Sequence, residues 1–119
     1  MENRYLSRGK RIDNGEWIQG YLYGIWERRY ILWGMTNDIP NMVEVDPSTI
    51  CQCTGYEGIY EKDIIRYDYE EYVIKWSDDS LSWEATSLEA DVSVPLGELN
   101  PDYMIVIGNE IDNPELLEV

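Results

Sequence analysis

The sequence contains no histidine and no phenylalanine, only two cysteines, and few basic residues. Its 119 residues include 9 Lys and Arg against 24 Asp and Glu, which gives a formal net charge of −15 at pH 7. Without histidine the chain lacks the commonest general base and metal ligand, so His-based triads and His-containing zinc sites are excluded. The scarcity of basic residues argues against direct nucleic-acid binding, because phosphate contacts need clustered Lys and Arg. It also argues against binding to an anionic membrane surface.

Long apolar runs are absent as well. No stretch approaches the roughly 20 apolar residues that a membrane span needs, and residues 1–11 lack the apolar core of a secretory signal. Cys51 and Cys53 are one residue apart, where a disulfide would be strained, so we expect reduced thiols in a cytoplasm. We interpret both as core or semi-buried residues, because no histidine or third cysteine completes a metal site. The expectation is a cytoplasmic protein with no metal and no cofactor.

The charge is unevenly distributed along the chain. Residues 1–34 carry six basic and four acidic residues, whereas residues 35–119 carry three basic and twenty acidic residues. Our first interpretation is complementarity within one fold, and the alternatives are self-association of unlike patches or an acidic face for a basic partner. In each case the N-terminal basic cluster is expected to contact an acidic surface.

The pattern of apolar residues predicts one mainly β domain over residues 1–119. Asn14-Gly15 between two extended segments predicts a β-hairpin, so residues 1–45 are interpreted as an N-terminal hairpin region. Further strands are predicted at 29–33 and 43–45, with a loop at 35–42.

The second half of the chain predicts an antiparallel meander in a small barrel or sandwich. Its strands are expected within 59–67, 70–76 and 81–85, with a short strand at 92–94 and a buried, nearly unbroken apolar strand at 104–107. Short helical turns are expected after Asp46 and Asn113, each of which precedes a proline.

Several single residues have a predicted structural role. Asp63, at the entrance to a strand, is expected to accept hydrogen bonds from backbone N–H groups of the preceding turn. Gly55, Gly58 and Gly108 are expected to supply a positive φ or a close approach of chain segments.

Tryptophan and tyrosine provide all fifteen aromatic residues. Period-2 spacing places Trp17, Tyr21 and Tyr23 on one face of a strand. Core packing is the simpler interpretation, and the alternative is an exposed patch for a protein partner, because Trp and Tyr are enriched at interface hot spots. The candidate partner-binding residues are Trp17, Tyr21, Tyr23, Trp26, Trp76 and Trp83.

An ordered set of motifs resembles the YopX family of phage and prophage proteins. The motifs are Arg8-Gly9-Lys10-Arg11, Gly15 to Tyr21, Val45 to Ile50, Gln52 to Gly55, Ile59 to Ile65, Val106 to Glu110, and Asn113 to Leu117. The resemblance implies a predominantly β fold with an SH3-like barrel in the C-terminal two-thirds, over residues 56–119 and centred on 60–107. It supplies no catalytic residues. The family more often has Gly-Asp before the first barrel strand, where this chain has Lys62-Asp63.

The leading functional hypothesis is a non-enzymatic protein–protein interaction or self-assembly module of phage-derived origin, acting in the cytoplasm of a bacterial host. The partner is expected to be a protein or a second copy of the chain, with no direct binding of nucleic acid or membrane. The alternative is an acidic DNA mimic that inhibits a nucleic-acid-binding protein. An enzyme is not expected, because acidic pairs such as Asp78-Asp79 are interpreted as solvated turns.

Overall fold

The protein is built of β-strands joined by tight turns and short 3-10 helices. The structure is a computed structural model that describes residues 5–56 and 58–117. No α-helix occurs among these residues, and ten strands form two antiparallel sheets of five strands each. The mainly β prediction is therefore confirmed. The chain divides into two compact units, Met1–Gly58 (unit 1) and Ile59–Val119 (unit 2).

Unit 1 contains one five-stranded sheet in the order β4-β3-β2-β1-β5. Its strands are β1 (Ser7–Lys10), β2 (Trp17–Ile25), β3 (Arg28–Thr36), β4 (Ile39–Val45) and β5 (Cys51–Gln52). A 3-10 turn over Pro47–Thr49 precedes β5, and the Asp46 side chain caps it by accepting the Ser48 N–H at 3.0 Å. The predicted helical start at Asp46 is thus confirmed.

The predicted N-terminal hairpin is confirmed as the pairing of β1 with β2. At its turn Gly15 has a φ of 73°, and the Asn14 side chain accepts the Glu16 N–H at 2.9 Å. Only a residue that tolerates positive φ fits this position, which explains the Asn-Gly signal.

The loop predicted at 35–42 is wrong. β3 continues to Thr36, β4 begins at Ile39, and only Asn37 and Asp38 form the turn, with φ values of 53° and 64°. Asn and Asp tolerate this left-handed region. These two residues alone form the turn, and the residues on either side of them belong to the two strands of a hairpin.

Gly20 lies where β2 exchanges its neighbour β1 for its neighbour β3. Ser7 pairs with Gly20, and Leu32 pairs with the next residue, Tyr21. A Cβ at Gly20 would lie 2.1 Å from the backbone carbonyl oxygen of Leu32, so only glycine fits the closely approaching strands. A single antiparallel β-bridge between Arg11, which follows β1, and Val45, at the end of β4, also joins these two strands. The sheet therefore curls around a core that includes Ile31 and Val45.

Unit 2 contains the second sheet, in the order β10-β6-β7-β8-β9. Its strands are β6 (Asp63–Tyr67), β7 (Glu70–Ser77), β8 (Ser82–Ser87), β9 (Ser93–Pro95) and β10 (Ile105–Asn109). Short 3-10 turns cover Leu96–Glu98, Pro101–Tyr103 and Pro114–Leu117. The meander β6-β7-β8 confirms the predicted strands, although Leu81 belongs to the preceding turn rather than to β8.

The turn before β6 has the predicted structure. Asp63 is fully buried, and its Oδ2 accepts the Tyr60 N–H at 2.8 Å. Lys62, the preceding residue, has a φ of 72°. Glycine would therefore be the residue with least strain at this position.

Two C-terminal predictions fare differently. Asn109 is buried, its Oδ1 accepts the N–H groups of Ile111 and Asp112, and a Cβ at Gly108 would lie 2.6 Å from Asn113 Oδ1, so the close approach expected at Gly108 is confirmed. The strand predicted at 104–107 is confirmed as β10, but its predicted burial is wrong, because Ile105 and Val106 are 59% and 43% exposed. Among the described residues, β10 is an edge strand that pairs with β6.

The resemblance implies an SH3-like barrel over residues 56–119, but the described part of this region does not close into a barrel. Among the described residues of unit 2, the edge strands β10 and β9 pair only with β6 and β8, so the sheet stays open. The short, proline-containing β9 explains this, because proline cannot donate a ladder hydrogen bond and occurs at sheet edges. An SH3-like barrel is not confirmed.

Candidate functional site

The candidate site of unit 1 is a three-stranded ribbon formed by the second half of β2 with β3 and β4. Tyr21 to Ile25 pair with β3, and β3 pairs along its length with β4, with one irregularity between Leu32 and Gly34. Residues 33–40 are all exposed, so the ribbon projects from the core of the unit.

The register of the ribbon separates two faces. Ile31 and Val45, which are fully buried, lie on the core side. Residues directly opposite one another share a face, so Tyr21, Leu32 and Met42 lie together on the other side. We call this side the outer face and define it by Tyr21, Tyr23, Ile25, Leu32, Met35 and Met42.

The six residues that define the outer face are apolar or aromatic and accessible, and the register places Arg28 and Glu44 on the same side nearer the tip. Met35, Met42 and Tyr21 are 65%, 49% and 45% exposed. A groove of about 480 Å³ runs along it, lined by Tyr21, Leu32 and Met35 together with Trp33 and Pro40. Scattered apolar residues are normal on a protein surface, but a contiguous row across three strands is typical of an interaction surface.

Trp26 lies at the tip of the ribbon, in the two-residue turn between β2 and β3. Its side chain is 93% exposed and its φ is 53°. The Arg29 guanidinium holds the turn by donating from Nη1 to the carbonyls of Trp26 at 2.8 Å and Arg28 at 3.0 Å. A hydrogen bond with Tyr30 and the nearby Glu44 carboxylate raise the pKa of Arg28. The tip therefore presents an indole ring beside a guanidinium.

Trp17 lies at the other end of β2, among the N-terminal basic residues. The Arg8 guanidinium carbon lies 4.7 Å from the centre of the Trp17 ring, and the Lys10 Nζ lies 5.4 Å from it. Cation–π contacts of this kind order both partners. Arg11 instead pairs with Asp13 through bonds of 2.9 and 2.7 Å, and this hydrogen bonding lowers the pKa of Asp13. The N-terminal basic cluster is expected to contact an acidic surface. For Arg11 this contact is an ion pair with Asp13, two residues away in the same turn.

In unit 2 the two candidate tryptophans form a pair. Trp76 of β7 lies opposite Trp83 of β8, with ring centres 5.2 Å apart in an edge-to-face arrangement. Their neighbours along the same face, Ile74 and Ala85, are fully buried. Trp83 is half-buried, and Trp76 is exposed with its Nε1 donating to Asp78 Oδ1 at 3.1 Å. The pair extends the core towards the surface.

The two cysteines are buried and form no disulfide with each other, as expected from their spacing. Cys51 Sγ donates to the Thr49 carbonyl at 3.4 Å and Cys53 Sγ to the Tyr56 carbonyl at 3.5 Å. Within residues 5–56 and 58–117, no group of three or more His, Cys, Asp or Glu side chains is arranged to hold a metal ion. The same residues include no helix with the length and apolar character that a membrane crossing requires.

Sequence reasoning found part of this surface. The period of β2 placed Tyr21 and Tyr23 together, and their common face is confirmed by the register. Met35 and Met42 were missed because they fell in the predicted loop. A signal was available, since Asn37-Asp38 between Met35-Thr36 and Ile39 fits a two-residue hairpin turn.

These features define an all-β protein of two five-stranded antiparallel sheets with an exposed apolar ribbon. The family model described as YopX protein matches residues 11–118, and the chain belongs to this family. Neither a search of curated proteins nor a search of solved structures finds a match.

Proposed function

We propose that this member of the YopX family is a non-enzymatic interaction module of phage-derived origin, which binds a protein partner or a second copy of itself in the bacterial cytoplasm. The single observation that carries the proposal is the exposed, apolar outer face. Burying a Tyr, Ile or Met side chain stabilises a complex by about 1.5–3 kcal/mol each, before the costs of association. Three strands hold these side chains in place, so little ordering is required on binding.

A co-purification experiment tests this proposal. The tagged full chain is expressed in a bacterial host that carries the intact phage element, and its complexes are measured by mass and by sedimentation velocity. The test variant carries Tyr21→Ser and Met42→Ser, and the matched control carries Leu81→Ser, which removes an exposed apolar side chain from a turn of unit 2.

We expect the original chain and the Leu81→Ser control to retain a partner in fixed stoichiometry, either another protein or the chain itself. The outer-face variant should lose the partner that this face binds, whether another protein or a second copy, while its thermal unfolding remains unchanged. A strictly monomeric original chain with no retained partner would contradict the proposal.

A second candidate, an acidic DNA mimic, is supported by the charge of unit 2. Unit 2 holds sixteen acidic and three basic residues, and unit 1 eight acidic and six basic residues. Asp78, Asp79, Glu84 and Asp91 surround one groove of about 500 Å³. Carboxylates spaced along a surface attract the phosphate-binding residues of a basic protein.

This candidate predicts displacement of duplex DNA from a basic, sequence-independent DNA-binding protein. A variant with Asp78→Lys and Asp79→Lys should displace less DNA than a control of equal net charge with Asp112→Lys and Glu115→Lys. Equal displacement by the two variants would show that net charge alone acts, and would count against a mimic surface at this groove.

A further inference from the structure

Unit 2 has an exposed aromatic groove of about 420 Å³ that the family motifs do not explain. We call it the tyrosine groove and define it by Tyr67, Tyr69, Tyr103 and Ile105, with Arg66 and Asp68 at its sides. Tyr69 is 99% exposed and Tyr103 67% exposed. Both large rings line the same groove and are exposed to water, so their burial by a partner would be favourable.

The walls of the groove are well supported. One wall is the turn between β6 and β7, where Asp68 and Tyr69 have φ values of 50° and 70°. The other is the 3-10 turn Pro101–Tyr103, and the Tyr67 hydroxyl at the base accepts the Asn100 N–H at 3.3 Å. A bulky Tyr at positive φ occupies a position that would be less strained as Gly or Asn.

The groove is electrically negative at its rim. Asp68 lines the groove, and Glu70 and Asp102, which follow Tyr69 and precede Tyr103 in the chain, are exposed. The one basic residue there, Arg66, already pairs with Glu71 through Nη2 and Oε2 at 3.0 Å. A fitting ligand therefore combines an aromatic or apolar group with a positive charge.

The tip of the ribbon in unit 1 carries this combination. Trp26 projects into solvent, Glu27 and Arg28 are exposed next to it, and Arg29 fixes the turn. The two arginines outnumber the one carboxylate of the turn. Trp and Arg are the residues most enriched at interface hot spots. Pairing through the β4 edge of the ribbon is disfavoured, because Pro40 has no N–H to donate to an added strand.

We propose that Trp26 and Arg28 of one copy bind the tyrosine groove of a second copy, so that copies join head to tail. The proposal rests on the proposed interaction function and names a second copy as one occupant. Trp26 packs against Tyr69 and Tyr103, and Arg28 lies beside the rim carboxylates. The two surfaces differ, so the contact is heterologous and continues into a ring or an open filament.

A mixing experiment tests this proposal by sedimentation velocity. Three chains are prepared, all carrying Tyr21→Ser and Met42→Ser to remove any contribution from the outer face. The first has no other change, the second adds Trp26→Ser, and the third adds Tyr69→Ser with Tyr103→Ser. The substituted side chains are exposed, so we expect all three to fold, and thermal unfolding checks this.

We expect the first chain to form species larger than two copies as its concentration rises, and each of the other two alone to stay monomeric. An equimolar mixture of the second and third should form a species of two copies and no larger one. In that mixture each chain supplies one intact surface, so association stops after a single contact. A mixture of the second chain with a third chain that also carries Arg28→Glu should associate less.

Three results would overturn the head-to-tail contact. They are a first chain that stays monomeric at all concentrations, a Trp26→Ser chain that associates as well as the first, and a mixture in which no two-copy species forms. None of these results bears on the outer face. The co-purification experiment measures separately whether Tyr21→Ser and Met42→Ser cause the loss of a partner. The proposed function can therefore stand when this inference fails.

Discussion

Gly20 shows how one residue determines the path of a whole strand. It lies where β2 passes from β1 to β3, and the space that a side chain would need is filled by the Leu32 carbonyl. Its φ is not positive, so the requirement is for space and not for an unusual backbone conformation. In the sequence, Gly20 is visible only as part of a family motif, and the steric requirement for glycine at this position cannot be inferred.

Gly20→Ala is expected to destabilise the protein by about 1–3 kcal/mol or more, because overpacking forces strands apart when the blocking atom is backbone. Gly97→Ala is the matched control, since a Cβ at Gly97 meets nothing within 4 Å. Urea unfolding of both variants measures the difference. Equal stability of the two variants would show that β2 shifts freely at Gly20.

Lys62→Gly is expected to stabilise the protein. A left-handed conformation costs an L residue about 1–2 kcal/mol. Glycine avoids this cost, but it loses more conformational entropy on folding, which offsets roughly 0.5–1 kcal/mol of the gain. Because Lys62 has a φ of 72°, the net gain should be up to about 1 kcal/mol in the free energy of unfolding. Lys75→Gly, in the interior of β7, should instead destabilise, and a destabilised Lys62→Gly would contradict the account of this turn.

Asp63→Ala removes the acceptor of a buried backbone N–H. Leaving the Tyr60 N–H without this partner should cost about 1–3 kcal/mol in the free energy of unfolding. Asp79→Ala, in an exposed turn, should cost little. If chemical denaturation shows equal stability for the two variants, the Asp63 carboxylate does not hold the turn.

At the scale of elements, short strands and tight turns were predictable, and exposure was not. The Asn14-Gly15 hairpin, the 3-10 start at Asp46 and the meander from β6 to β8 follow from turn chemistry and alternation. The apolar run at 104–107 was expected to be buried, but strand position decides burial, and β10 lies at an edge. Periodicity reports which residues share a face and does not report what covers that face.

The ribbon was the element least visible in the sequence. Asn37, Asp38, Pro40 and Asn41 together resemble a loop, and only the first two form the turn. Pro40 instead lies within β4, paired with Met35. Tyr21 and Tyr23 could be found by their spacing within one strand, whereas Met35 and Met42 join them only through the pairing of three strands.

Pro40→Val is expected to promote aggregation of the chain. Valine restores a backbone N–H on the exposed edge strand β4, which then offers a template to another strand. Light scattering during incubation measures the effect, and Pro101→Val, outside any strand, is the control. Identical scattering by both variants would show that Pro40 does not protect this edge.

At the scale of the whole molecule, the net charge of −15 opposes self-association. Repulsion between two copies acts over about 30 Å at 0.01 M salt and about 8 Å at 0.15 M. The proposed contacts are mainly apolar, so salt screens the repulsion more than it weakens the contact. Self-association measured by sedimentation should therefore strengthen across this range, and weakening would indicate a contact dominated by ion pairs.

The central claim is that the outer face of the ribbon is an interaction surface, and oxidative footprinting of its methionines tests it most directly. Met35 and Met42 are exposed in the free chain, and the half-buried Met104 of unit 2 serves as an internal standard. Their conversion to sulfoxide by dilute peroxide is followed by mass spectrometry, in the dilute free chain and in the associated or partner-bound state. We predict that association slows the oxidation of Met35 and Met42 several-fold relative to Met104. Unchanged relative rates in the associated or partner-bound state of a chain that carries Trp26→Ser, and so lacks the proposed tip contact, would contradict the claim.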